Sequence, residues 1–321
     1  MSIHAPPTVL TFSASDPTGA GGVLADALTC ASMGCHAACA ITAVGVQDST
    51  RVEDALLIDD EWLDDQARAV LQDMPVAAIK VGAVGSSDNA QAIAEILSDY
   101  PELPVVFDPL PAVRASGGGS EEQADAELMA ALRELIVPQS TVMTLSLQQA
   151  RRWLALAADD DAREEWDAAR CARELLEWGA EYVLVTGAEM SGNLVVNRLY
   201  GPEQSVQSES VERIDLRFRG AGDTLSAAIA ALLAQGIEVG YAVLEANEFL
   251  GQALAGGFRL GMGDSMPDRL FWAGDDGSEA DDDGAEDAGR DGGAAAGITD
   301  AADDRAADGG RPPDAPPVDG R

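Results

Sequence analysis

Residues Arg219-Gly220-Ala221-Gly222-Asp223-Thr224-Leu225-Ser226 run straight into an alanine-rich apolar stretch ending at Leu233. The pattern predicts a helix that starts directly behind two glycines. Glycine lets backbone come within contact distance of a ligand. The first turn of a helix adds unpaired N–H groups and the positive end of its dipole, which suits a phosphate. Asp223 falls on that turn, where its carboxylate is either an N-cap or a base aimed at whatever the N–H groups hold. An anion pocket beside a carboxylate meets the needs of phosphoryl transfer to an alcohol. The N–H groups stabilise charge on the transferred group, and the carboxylate accepts the hydroxyl proton. A glycine loop with a capping aspartate would leave the same residues, so the choice rests on the remainder of the chain.

Thr8 to Ser13 reads as a buried strand, running through the small-residue loop Ala14–Gly22 into a helix from about Val23 to Met33, stopped by Gly34. In an α/β chain such a loop lies at the carboxyl end of the sheet, where ligands bind. It matches neither G-x-G-x-x-G nor G-x-x-x-x-G-K-[ST]. Asp26 sits on the first turns of that helix, nearest the loop, where a plain surface aspartate is also common. A second strand, Ala37 to Val46, ends in Gln47, whose amide both donates and accepts and could read a heterocycle.

Further along, Glu53–Ile58 reads as a strand, and Asp59 and Asp60 open a helix with apolar residues at helical spacing. The strand Val76–Gly82 delivers Ala83 and Gly85 to the same sheet edge, and a helix from Asp88 to Leu97 leads to Val105-Val106-Phe107-Asp108-Pro109. Helices at Gln148–Leu156 and Ala162–Trp178 precede a core strand, Tyr182–Gly187, then strands at Leu194–Tyr200 and Ser210–Leu216. After the helix carrying Asp223, a long one spans Val239–Arg259. This alternation predicts a three-layer α/β fold with a mostly parallel central sheet flanked by helices.

Twenty basic and 56 acidic residues give a net charge of −36, and Lys80 is the only lysine. Such a field repels nucleic acid and anionic membrane, so neither is expected as a partner. An acidic, lysine-poor surface fits a salt-rich cytosol, where ions screen the self-repulsion. No run of some 18 apolar residues occurs, and the first residues lack a signal-peptide pattern, so the expected location is cytoplasmic. Cys30, Cys35, Cys39 and Cys171 form no C-x-x-C pair and are expected as buried thiols. Lys80, within an apolar strand, is expected to pair with a carboxylate. Residues 1–273 are expected to form the domain. Residues 274–321 hold 15 acids and 4 arginines among glycine, alanine and proline, the composition of a disordered acidic tail.

Ser15-Asp16-Pro17-Thr18-Gly19-Ala20-Gly21-Gly22-Val23-Leu24-Ala25-Asp26, then Ala40-Ile41-Thr42-Ala43, then Gln47, resemble in order and spacing the hydroxymethylpyrimidine and phosphomethylpyrimidine kinases. These are ribokinase-like enzymes of thiamine biosynthesis, and Gly220–Ala228 resembles their glycine loop and helix. The resemblance implies ATP- and Mg2+-dependent phosphorylation of a small pyrimidine alcohol, 4-amino-5-hydroxymethyl-2-methylpyrimidine, and of its monophosphate. It implies Asp223 as base, with the Gly220, Ala221 and Gly222 amides as anion hole. Asp26 and Gln47 would hold the pyrimidine beside Gly21 and Ala83. Thr186, Gly187 and Thr224 would meet ATP, with the Val239–Arg259 helix walling the adenine. Asp108 would lie near Mg2+ or phosphate, and Arg114 near a family lysine.

Some positions depart from that pattern. Ala83 stands where the family usually has methionine, and Asp223 where the thiamine-type enzymes typically carry cysteine and other branches carry aspartate. The family's Thr-Pro-Asn-x-x-Glu appears as Thr144-Leu145-Ser146-Leu147-Gln148-Gln149. A kinase for another alcohol such as pyridoxal, or a ligand-binding relative without turnover, therefore stands beside the main reading, with a homodimer left open.

Overall fold

In the computed structural model, which describes residues 5–110, 121–158, 166–202 and 204–273, strand β1 (Thr8–Ser15) is buried on every residue but its last. A strand needs that when helices cover both faces of its sheet. Beside it lie β2 (His36–Gln47) and β4 (Val76–Val81), both parallel to it. The sheet continues through β5 (Val105–Phe107), β6 (Val142–Ser146) and β7 (Tyr182–Ser191), again parallel. Antiparallel strands close both ends: β3 (Val52–Leu57) on β2, and β8 (Leu194–Gly201) and β9 (Gln204–Glu212) beyond β7. The order is β3-β2-β1-β4-β5-β6-β7-β8-β9. Strand order reverses between β1 and β4, so the loops leaving those two strands diverge and open a crevice at their carboxyl ends.

Alternation along β1 divides the core in two. Val9 packs with Ile229 and Phe249, in the layer of α1 (Gly22–Ser32), α7 (Ala221–Ala234) and α8 (Val239–Ala255). Leu10 and Phe12 pack with Leu63, Ile93 and Leu154. Those belong to the layer of α2 (Asp60–Asp73), α3 (Ser87–Asp99), α4 (Glu121–Ala131), α5 (Leu147–Ala158) and α6 (Ala168–Glu177). The α/β three-layer expectation holds. Helix α7 is buried at every position from Asp223 to Leu233. A helix enclosed on all sides must be apolar all round, and its alanines let the sheet, α1 and α8 approach closely.

Three segments differ from the sequence reading. β9 starts at Gln204 and stops at Glu212, because a short turn pairs Gly201 with Gln204 and fixes the register of the hairpin. Its polar run, typical of an edge strand, hid it. Helix α8 ends at Ala255, where Gly256 caps it, and Phe258 then bridges Met266. α4 and the π-helical turn after it, Leu132–Ile136, had no counterpart in the reading. Arg114, the start of the expected 162–178 helix and the acidic tail lie outside the described residues. Cys30, Cys35 and Cys171 are free and buried, and Cys39 is free and half-buried. No helix among the described residues is long and apolar enough to cross a membrane.

The β7–β8 ladder breaks between Val185 and Glu189. In place of a ladder partner, Gly187 N–H donates to Asn197 Oδ1 at 3.0 Å. The Asn197 amide donates to Asn247 Oδ1 at 2.7 Å, and Asn247 donates to Val243 O at 2.8 Å, so α8 holds the turn through two buried amides. Asn247→Leu should leave the Asn197 amide unpaired and cost about 1–3 kcal/mol. Urea unfolding of wild type and variant measures this, and an unchanged midpoint would show that Asn197 finds another partner.

Candidate active site

Lys80 is fully buried on β4, within a run of apolar neighbours. Its ammonium donates to both oxygens of Asp26, at 2.9 and 3.1 Å, and to Asp223 Oδ1 at 2.9 Å. Three protons meet three acceptors, which an ammonium in a dry site requires. Burial pushes Lys80 toward the neutral form, but the Asp223, Asp26 and Asp108 carboxylates outweigh it and hold its pKa above the ordinary lysine value. Burial likewise raises the Asp26 carboxyl to about 7 against the pull of Lys80. The ammonium reaches the pair because the next residue but one is Gly82, where a Cβ would lie 2.7 Å from Nζ. Asp26 is therefore no surface aspartate: it is fully buried and faces Lys80.

Asp223 lies on the first turn of α7, yet the N-cap of that helix is Gly220, with no side-chain cap. The Asp223 carboxylate reaches across the chain instead, accepting from Gly22 N at 3.2 Å through Oδ2. The N-cap alternative is thereby corrected. Each oxygen has one donor, Lys80 or Gly22, and keeps further acceptor capacity. Gly220 adopts φ +81°, a left-handed turn that side chains disfavour. Asp16 shapes the facing loop, accepting from Thr18 N at 2.8 Å and Gly21 N at 3.1 Å. Thus Gly21, Gly22 and Asp223 meet at one point, where α1 and α7 both begin.

Arg269, in the segment after α8, is almost wholly buried. Its guanidinium donates to Gly19 O, Ala20 O, Gly220 O and Thr224 Oγ1, at 2.6–3.3 Å. Thr224 Oγ1 also donates to Gly220 O at 2.7 Å, so the Thr224 hydroxyl is engaged within the loop. Gln47 ends β2, and its Oε1 accepts from Arg219 Nη2 at 2.5 Å. Arginine cannot accept, so this contact fixes the amide and leaves Nε2 as a donor without a partner among the described residues. Ala83 is buried with Ala14, Ala43 and Leu110, and its carbonyl accepts from Thr42 Oγ1 at 2.6 Å.

Beside this point lies a cavity of about 500 Å³. Asp108, Thr144, Thr186, Gly187, Ala221 and Gly222 line it, and Leu250 and Leu254 of α8 form part of its apolar wall. Thr144 Oγ1 is buried with no hydrogen-bond partner among the described residues. Asp108 accepts from Ser226 Oγ at 3.3 Å, and burial, then the charge of Asp223, raises its carboxyl to about 7. A poorly satisfied carboxylate on the wall of this cavity fits Mg2+, which takes one or two carboxylates plus phosphate oxygens and water. Ser146 and Gln149 line the cavity too, but each serves the other. Ser146 N donates to Gln149 Oε1 at 2.8 Å and Gln149 N to Ser146 Oγ at 3.2 Å, a capping box at the start of α5.

The reading of the sequence gave no role to Arg219, although it opens the Gly220–Asp223 stretch, and missed Arg269, which belongs to no motif, and the link from Lys80 to Asp223. A single lysine inside an apolar strand of a strongly acidic chain was the available signal for the last. Lys80→Met would leave two buried carboxylates uncompensated, and about 3–5 kcal/mol should be lost. Adding Asp26→Asn should recover part of that loss. A double variant no more stable than Lys80→Met, measured by chemical denaturation, would show that Asp26 and Lys80 are not coupled.

The family model for phosphomethylpyrimidine kinase matches residues 16–268. The hydroxymethylpyrimidine/phosphomethylpyrimidine kinase of Streptomyces coelicolor is 32% identical, over 80% of this chain and 92% of its own length. The enzyme of the same name from Rhizobium meliloti is 33% identical, over 79% and 92%. Among solved structures, the ADP complex of Bacillus subtilis pyridoxal kinase superposes with a TM-score of 0.73 at 27% identity, covering 84% of this chain and 99% of that one. With the sheet order, the glycine loops and the matched segment in agreement, the chain belongs to the phosphomethylpyrimidine kinase family.

Proposed function

We propose that the protein transfers the terminal phosphoryl group of ATP to the hydroxyl of 4-amino-5-hydroxymethyl-2-methylpyrimidine, and then a second one to the resulting monophosphate. The observation that carries this reading is the Asp223 carboxylate, held from two sides by Gly22 N and Lys80 Nζ at the opening turn of α7. In the first step the substrate oxygen bonds to the terminal phosphorus as the bond to the bridging oxygen of ADP breaks. Asp223 takes the hydroxyl proton. The Gly220, Ala221 and Gly222 amides face the charge that gathers on the transferred group. In the second step an oxygen of the monophosphate attacks in the same place.

Gln47 offers its Nε2 to an acceptor nitrogen of the ring, because Arg219 occupies the amide oxygen. Asp26 enters from behind the wall, by holding Lys80. Gly21 and Ala83 bound the ring site with small groups. Thr186 and Gly187 form the turn under the nucleotide, and Thr224 stiffens the Gly220 loop. Asp108 would hold Mg2+, which when bound offsets the charge of the phosphates.

A pyridoxal-type alcohol is the second reading, favoured by aspartate at position 223 and by the likeness to the Bacillus subtilis structure. A coupled ADP-release assay across pyrimidine and pyridoxine alcohols decides between them. The pyrimidine alcohol should have the highest kcat/KM, and Gln47→Leu should weaken it by about 1–3 kcal/mol. Pyridoxal winning the panel would discard the pyrimidine reading and keep the kinase one. No turnover of any alcohol would leave a binding protein.

Asp223→Asn keeps the shape and one hydrogen-bonding oxygen but cannot take a proton. Its kcat should fall by about 10²–10⁴-fold while ATP binding survives. An asparagine variant as fast as wild type, with the same melting temperature, would remove Asp223 from the chemistry. Substantial activity in Asp223→Cys would instead assign most of the catalysis to the amides.

A further inference from the structure

Arg269 lies one residue beyond the segment that matches the family, and no sequence motif draws attention to it. It is 5% exposed, and among the described residues no carboxylate comes within ion-pairing distance of its guanidinium. Burying an arginine against neutral carbonyls is unfavourable in isolation. The charges of Asp223, Asp26 and Asp16 act on it at longer range, while burial lowers its pKa. The arrangement of its contacts explains what this arginine does.

Two of the oxygens it holds, Gly19 O and Ala20 O, belong to the loop after β1. The other two, Gly220 O and Thr224 Oγ1, belong to the opening of α7. Nε donates to Thr224 Oγ1, which donates onward to Gly220 O, while Nη2 reaches Gly220 O and Ala20 O together. In a planar trans peptide the C=O and the next N–H point in opposite directions. The first backbone bond of α7, from Thr224 N to Gly220 O at 3.0 Å, already points this carbonyl along the helix, and Arg269 adds a second donor that holds it there, so the Ala221 N–H stays turned away, toward the cavity that Ala221 lines. Fixing the Ala20 carbonyl likewise sets the Gly21 peptide, whose N–H meets Asp16 Oδ2.

We propose that Arg269 is a positioning residue which clamps the two glycine loops together, and so sets the approach of Gly22 to Asp223 and holds the Ala221 N–H in the direction that α7 gives it. This rests on the phosphoryl-transfer reading above. A planar fork reaches oxygens on both loops at once. A lysine has one nitrogen in place of three, so it cannot make the Nε bond to Thr224 Oγ1 and the Nη1 bond to Gly19 O while also holding Ala20 O and Gly220 O.

Arg269→Lys and Arg269→Met test this in the full chain, by steady-state kinetics and melting temperature. Amide exchange of residues 220–224 without ligand is measured alongside. A displaced donor at a developing charge costs about 10²-fold, so kcat of Arg269→Lys should fall by that order with both KM values little changed. Exchange at 220–224 should quicken while β5 and β6 stay as in wild type. If Arg269→Met does not fold, Arg269→Lys carries the test, and Thr224→Val, which cuts the relay to Gly220, should lower kcat in the same direction. A kcat of Arg269→Lys at the wild-type level, or unchanged exchange at 220–224, overturns the proposal. Absence of turnover in wild type would overturn the kinase reading, and the exchange measurement would then decide on Arg269 alone.

Discussion

The buried ammonium of Lys80 is the contact on which the site depends. It joins the centre of the sheet to α1 through Asp26 and to α7 through Asp223. Removing charges from water is expensive, and an ion pair in the interior offsets that only with close geometry and full satisfaction of its protons. Here all three protons are used. The result is direction more than stability: the Asp223 carboxylate cannot rotate without breaking either the Lys80 contact or the bond from Gly22 N. An acidic chain with one lysine has placed that lysine where three carboxylates converge.

The same logic governs the loops. Glycine backbone is free to move, and an anion site made of its amides works only if the amides are already aimed. Side chains from distant parts of the sequence do the aiming. Asp16 folds the first loop on itself, Asp223 reaches from α7 to Gly22, and the carbonyls of both loops turn to Arg269. Each cross-link runs between the two loops or within one, so their separation is set by side chains and not by the flexible glycines.

Much of the fold was legible because its signals are local. Apolar runs bounded by glycine marked β1, β4 and β7, and helical spacing marked α2. β9 was misplaced because an edge strand can be polar, and its extent follows from the turn that pairs Gly201 with Gln204. In the site, Asp223 and Gln47 stood out from their place at the ends of elements. What could not be seen is which partner each side chain takes. Asp26 read as a surface residue or a ring contact, and its meeting with Lys80 spans 54 residues of chain. The Arg219 contact that turns the Gln47 amide spans 172. Such pairings arise only when the sheet order brings strand ends together.

The start of α5 shows how a departure from a family pattern can be absorbed locally. A helix start leaves several N–H groups without partners. Ser146 and Gln149 meet this need reciprocally, so the residues standing at the pattern's asparagine and glutamate are occupied by backbone. The cavity wall thereby has one carboxylate fewer than the pattern supplies. Asp108 remains the buried acid facing that space. A carboxylate raised to about 7 by burial and by Asp223 gains most from a nearby cation, since each added positive charge favours its ionised form. In the proposed kinase, fewer fixed negative charges opposing the phosphates would shift more of the hold on a divalent ion from protein to nucleotide. Mg2+ suits that division, because it keeps several waters and shares itself between one or two carboxylates and phosphate oxygens.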